Sequence, residues 1–245
     1  MSLENKLRRR LIISLSVAVS FCIIVVASFF WIQSSKVDEA YTIHRQAFIL
    51  NEKVWRMLQS AKTESVAKNP PPLGKVPRVN GLLGLKSALN VTNYKIIIES
   101  DEKKVSLTPA DFYLLPKVGY TTDFRCIEGW SEVMQYGGAR FSDFMEAYKL
   151  GKKADGTYFK YVGLETPDKK YYVSIDMESM LHPQTLLAYE MNLAPLKPEN
   201  GLPLRLIIPI KYGIKSLKRV GRIFFSDQRP PDYWAERGYD WYSGL

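Results

Sequence analysis

Phe124-Arg125-Cys126-Ile127-Glu128-Gly129-Trp130-Ser131 decides how this chain is read, because it holds one of only two cysteines in 245 residues. The other, Cys22, sits inside an uninterrupted apolar run, so a disulfide between them is not expected. Cys126 is then a free thiol, either a small hydrophobe in a core or a thiolate acting as nucleophile or metal ligand. The residues leading to it, Tyr120 to Cys126, have strand character and deliver the thiol at the strand's end.

Downstream segments bear on that choice. Asn200-Gly201-Leu202-Pro203-Leu204-Arg205 offers an amide and, five residues on, a guanidinium suited to an oxyanion. Lys211-Tyr212-Gly213-Ile214-Lys215-Ser216-Leu217-Lys218 adds a glycine turn with three cations, a composition shared by phosphate-holding loops and plain basic surface.

Together, the cysteine segment and the stretch from Leu186 to Lys218 resemble the molybdopterin-binding domain of the sulfite oxidase family. The likeness is closest to its branch of periplasmic methionine sulfoxide reductase catalytic subunits, where Arg-Cys is followed by an acidic residue and Trp-Ser. The Cys-Ala-Gly-Asn run of sulfite oxidases proper is absent. The resemblance covers Thr108 to Leu245 and implies a molybdenum-molybdopterin cofactor with Cys126 as the protein ligand to the metal. It also implies Thr166, Asn200, Arg205, Ser216, Leu217 and Lys218 as cofactor contacts.

In Tyr233-Trp234-Ala235-Glu236-Arg237-Gly238-Tyr239, the resemblance places Tyr239 beside the metal. A phenol there would hydrogen-bond a ligand or relay a proton, with packing in the aromatic tail as the alternative. Leu193 replaces the glycine that commonly follows Asn192. Family members also close an Asn-containing upstream loop over the cofactor. No convincing counterpart stands out between Lys36 and Leu107, and Asn90 or Asn93 are the nearest stand-ins. Arg125 and Arg237 are candidates for attracting an anionic substrate or for structural ion pairs.

The N-terminus adds a second theme. Leu11 to Ser35 carries no charge and is long enough at about 1.5 Å per residue to cross a bilayer. Lys6, Arg8, Arg9 and Arg10 precede it, so the positive-inside bias puts Met1 in the cytoplasm and the rest in the periplasm of a single-pass inner-membrane protein. A cleavable signal is the competing reading, although the run exceeds the usual signal core and no small-x-small site follows. Arg8-Arg9-Arg10 also fits a loose twin-arginine export pattern.

The expected organisation is a basic flank and anchor over residues 1–35, a helical stalk over 36–68, a Pro-rich linker over 69–80 and an oxidoreductase domain over 81–245. The stalk rests on Ala40, Ile43, Ala47, Leu50, Val54, Met57 and Ala61, whose spacings alternate between three and four. Such a stripe suits packing on a neighbouring helix or on the chain's own domain. Short strands alternating with short helices predict an α+β domain, with Ser142 capping a helix from Phe141 to Leu150.

The net charge of +9 is scattered, which gives no basic stripe for nucleic acid. There is no Cys-x-x-Cys-His haem site, and His44 and His182 alone make no zinc constellation. With the N-terminal apolar run, the resemblance implies a membrane-anchored molybdenum enzyme acting on a small S- or N-oxide or oxyanion. It would exchange electrons with a haem- or quinone-linked membrane subunit. The alternative is an accessory subunit of a membrane redox complex.

Overall fold

The computed structural model describes residues 3–37, 39–58, 65, 67, 69–71, 76–100 and 103–245. Helix α1 (Leu3–Ser34) is long and apolar enough to cross a membrane, with mean hydropathy 2.7 in its most apolar window, and none of its residues is buried. By length and composition, a membrane span and an export signal share that signature.

The stalk is not a continuation of α1. Strands β1 (Lys36–Val37) and β2 (Ala40–Tyr41) pair as a small antiparallel hairpin, and only then does α2 (Thr42–Leu58) begin. Tertiary contacts override the helical period here. The Glu39 N–H donates to the Glu236 carbonyl at 3.2 Å, and Ala40 is buried. Ala61 and residues 72–75 of the linker lie outside the described residues.

The domain is α+β, built on two five-stranded sheets. One sheet runs β10-β9-β6-β5, with β11 also paired to β9. Its members are β5 (Lys117–Arg125), β6 (Ser131–Arg140), β9 (Leu186–Met191), β10 (Ala194–Pro195) and β11 (Arg205–Ile207), all antiparallel. The other runs β4-β3-β12-β7-β8, formed by β3 (Ile96–Ser100), β4 (Lys103–Leu107), β7 (Tyr161–Glu165), β8 (Tyr172–Asp176) and β12 (Arg222–Ser226). Only β3 and β12 pair in parallel.

Alternation sets the layers. In β3, Ile96 and Ile98 are fully buried, as are Val162 and Leu164 of β7. They join Phe112 of α3 (Pro109–Tyr113), Phe141 and Phe144 of α4 (Phe141–Tyr148), Leu187 and Leu206 in the main core. Residues one step along β9 and β11, namely Leu186, Ala188 and Ile207, point into a second cluster with Met134 and Tyr136. Strands β9 and β11 thus place side chains in a core on either face, and Met134 and Tyr136 of the second cluster line the cleft described below.

Where β6 meets β9 the register shifts at Gly137/Gly138. A Cβ on Gly138 would stand 2.3 Å from the Leu187 carbonyl oxygen, so only glycine permits that approach. Helix α3 opens as expected at Thr108, whose N–H and hydroxyl each donate to the Asp111 carboxylate at 2.7 Å. The α4 cap differs: Arg140 is the N-cap and Ser142 lies inside the helix, its hydroxyl donating to Asp143 at 3.3 Å. The chain leaves β6 in extended backbone, so the boundary follows the sheet.

Candidate functional site

Cys126 occupies the first position after β5, in the five-residue turn that returns the chain into β6. Strands β5 and β6 are in register from Lys117 opposite Ala139 to Arg125 opposite Ser131. The turn is closed by the Cys126 N–H donating to the Trp130 carbonyl at 2.9 Å and the Gly129 N–H to the Cys126 carbonyl at 3.0 Å. Gly129 adopts φ +89°, where a side chain would be strained. The thiol is 8% exposed and faces a cleft of about 360 Å³.

That cleft gathers Asn200, Arg205, Ser216, Lys218 and Tyr239 around Cys126. Thr166 and Leu217 are not among its lining. Thr166 is 1% exposed, and its hydroxyl closes a turn with Asp168 and Tyr171. Leu217 is fully buried in the main core, its N–H donating to Lys215 and its carbonyl accepting from Leu206.

The basic loop divides. Arg205 is 3% exposed, donates one N–H to the Asn200 carbonyl at 3.0 Å and leaves its buried Nε without a partner. Its guanidinium lies over Phe124 and Tyr136, and burial lowers its pKa. Lys218 donates to the carbonyls of Asn80 and Gly81 at 2.7 and 3.1 Å. Burial, and then repulsion from Arg205, draw its pKa down to about 8. Neither cation has a carboxylate partner among the described residues.

Lys211 and Lys215, read from sequence as part of the same phosphate-holding composition, turn away into the interior. Lys211 pairs with Asp176 at 3.3 Å and lies against the Tyr242 ring, and Lys215 pairs with Asp232 at 2.5 Å. Two of the loop's three lysines are therefore already neutralised.

An Asn-containing upstream segment not picked out from sequence reaches the cleft, with Arg78, Asn80 and Gly81 in its lining. The Asn80 amide is 3.8 Å from the Cys126 sulfur and donates to Glu128 at 3.1 Å, while Arg78 stacks on Trp130 at 4.6 Å. The Trp130 indole N–H and the Asn80 amide hold the Glu128 carboxyl below its ordinary pKa. Asn90, the earlier stand-in, instead accepts the Asn93 N–H at 3.2 Å in a local turn. The signal for Asn80 was its place in Pro77-Arg78-Val79-Asn80-Gly81, where the Pro-rich run ends.

Tyr171 was also missed. It lines the cleft, donates to the Ile214 carbonyl, and has a phenol pushed far above its usual range by burial. Tyr239 is 40% exposed at the rim, edge-on to Trp234 at 5.1 Å. Arg125 and Arg237 stay outside the cleft. Arg125 pairs with Asp123 at 3.1 Å, and Arg237 stacks on Tyr233 at 3.5 Å and donates to its carbonyl. His182 is buried, its Nδ1 accepting the Gln184 N–H at 3.2 Å.

No three His, Cys, Asp or Glu side chains converge among the described residues. A metal at Cys126 would therefore take one soft protein ligand and bring its others with it. A buried guanidinium with a free Nε and no ion pair among the described residues, beside a lysine that also has none, fits the phosphate of a pterin cofactor, and the Asn200 and Asn80 segments supply amides beside it.

Residues 84–234 match the family described as "Oxidoreductase molybdopterin binding domain". A chain of Azospira oryzae provisionally named protein-methionine-sulfoxide reductase subunit YedZ1 is 36% identical over 58% of this chain and 52% of its own. The protein-methionine-sulfoxide reductase catalytic subunit MsrP of Campylobacter jejuni is 32% identical over 66% of this chain and 60% of its own. This chain thus spans little more than half the length of those relatives. The sulfane dehydrogenase SoxCD of Paracoccus pantotrophus shares the fold at TM-score 0.51 and 23% identity, over 58% of this chain and 40% of that one.

Proposed function

The chain belongs to the oxidoreductase molybdopterin binding domain family, and from that premise we propose that it is a membrane-anchored enzyme reducing a sulfoxide of the methionine type. The sulfoxide would become a thioether and water, consuming two electrons and two protons. The observation that carries this reading is one cleft holding the Cys126 thiol, the Arg205 guanidinium, whose Nε has no partner among the described residues, and Lys218.

When bound, the molybdenum-molybdopterin cofactor supplies the two-electron oxygen-atom exchange. The chain's own residues do the rest. Cys126 would hold the metal from a hairpin turn, Arg205 and Lys218 would hold the phosphate, and Asn200 and Ser216 would orient the pterin. Tyr239, at the open rim, would supply or relay a proton from its phenol. Phe124, Trp130 and Trp234 give the cleft apolar walls suited to a thioether side chain. Two relatives named for protein methionine sulfoxide favour this substrate over an oxyanion, as does the placement of Arg125 and Arg237 outside the cleft.

Helix α1 is the anchor, the domain faces the periplasm, and electrons come from a haem- or quinone-linked membrane subunit. The accessory-subunit alternative rests on the helical stripe and on the upstream region, and the Arg78-to-Gly81 segment beside the cleft weighs against the second of these.

The test is Cys126→Ser in detergent-purified chain. Molybdenum content or its spectroscopic signature should change, and sulfoxide reduction with an artificial electron donor should fall by more than the roughly 10–100-fold typical of losing a group that only orients a ligand. Unchanged metal and rate would remove Cys126 as ligand. Tyr239→Phe should keep the metal and lower kcat by about 100-fold, the low end for a general acid.

A further inference from the structure

Helix α2 is amphipathic in the reverse of the usual sense. Its inward side is charged: Arg45 donates to the carbonyls of Ala235 and Tyr239, Glu52 accepts from Arg229 at 3.1 Å, and Arg56 pairs with Asp176 and Glu178 at 3.5 Å. Its outward side carries Ile43, Ala47, Leu50, Val54 and Met57, which fall within an arc of about 80° at 100° per residue. All five are exposed, Met57 at 78% and Leu50 at 63%.

Three observations identify what covers this face. Helix α2 starts at Thr42, so only residues 35–41 separate it from the end of α1. Even fully extended they would span about 25 Å, and the β1–β2 hairpin shortens that reach. Trp31, which is exposed, and Tyr41, which is half-buried, stand on either side of the junction with the amphipathic rings favoured at a membrane–water boundary. Lys36 and Lys53, also exposed, have stems long enough to lie along apolar surface with the ammonium in the headgroups.

We propose that α2 lies in the interface of the bilayer that α1 crosses, with the stripe from Ile43 to Met57 in the headgroup–acyl boundary. Because the inward face of α2 is bonded to Ala235 and Tyr239, the rim that supplies Trp234 and Tyr239 is held next to the lipid surface. This rests on α1 being a retained anchor.

The test uses the full chain in native membranes, with the photo-crosslinking residue p-benzoylphenylalanine placed singly at position 50, 54 or 114. Leu114 is a control: it is 85% exposed at the end of α3, where Tyr113 packs on Tyr189 of β9, in the other sheet from β8, next to which α2 docks. Lipid adducts at 50 and 54 several-fold above those at 114 are expected. Adducts to a second copy or another protein, or no excess over 114, would overturn the proposal. Carbonate extraction separates the two readings, since a chain that washes off loses the anchor and the proposal together. A chain that stays bound without lipid adducts loses only the proposal. As a second check, Leu50→Asp with Val54→Asp should lower lipid adducts at position 43 several-fold, leaving molybdenum content and activity with an artificial donor unchanged. Undiminished adducts would also overturn it.

Discussion

Arg205 and Lys218 face the cleft without a carboxylate, whereas Lys211 and Lys215, between them in sequence, each meet one within hydrogen-bonding or ion-pair distance. All four belong to one basic stretch of fourteen residues, from 205 to 218. The difference teaches that a cation's role is set by whether the fold has supplied its counter-charge. A buried cation left unneutralised is a standing cost that a ligand can remove, while a paired one is already part of the interior.

The largest expected effect comes from breaking the paired side. Lys215→Met strands Asp232, which is 3% exposed, and should destabilise the domain by about 3–5 kcal/mol in denaturant unfolding. Molybdenum bound per folded molecule should not change.

Arg205→Met should behave oppositely. It removes a buried cation that has no counter-ion, so the cofactor-free chain should be as stable or more stable. Loss of a charged phosphate contact should weaken cofactor retention by about 1.5–3 kcal/mol, one to two powers of ten. If Arg205→Met unfolds the domain while Lys215→Met only sheds cofactor, the distinction between the two sides collapses.

Lys218 sharpens the comparison through pH. Its folded pKa of about 8 lies below the ordinary 10.5, so between those values the unfolded chain holds more protons than the folded one. The sign follows: the cost of burying its charge is fully present below about pH 8 and is relieved as pH rises toward 10.5. The cofactor-free chain should gain stability from Lys218 across that window, while anion affinity falls. Lys218→Met should flatten both profiles, read by thermal melting and by phosphate competition.

The smallest effect belongs to an exposed pair. Arg125→Gln breaks the contact with Asp123 at the surface and should cost about 0.2–1 kcal/mol, with sulfoxide reduction unchanged.

The same logic explains what the sequence disclosed. Cys126 at a strand end was legible from local pattern, and Asn200, Arg205 and the rim tyrosine through short segments that resemble a known family, each lying within one or two elements. Strands β3, β5, β7, β8, β11 and β12 and the α+β class were legible from aromatic and β-branched runs, whereas β4, β9 and β10 were not. Strand β6 was not, since Glu132, Gln135, Gly137 and Gly138 mask its alternation, and its burial comes from neighbours on both sides. Asn80 was hidden because its place depends on Lys218 gripping the carbonyls of Asn80 and Gly81, 137–138 residues away. The stripe on α2 was visible, but its direction was not. The contacts of Arg45, Glu52 and Arg56 with the domain show which side docks.

The grip of Arg45 on Ala235 and Tyr239 joins residues 190 and 194 positions apart. In kinetic terms this is a late event, because closing so long a loop comes only after shorter-range contacts have formed. The aromatic wall of Trp234 and Tyr239 is then the last part of the cleft to set and the first to loosen. Amide protons of Ala235 to Tyr239 should exchange faster than those of β6, through an opening that leaves the two sheets intact.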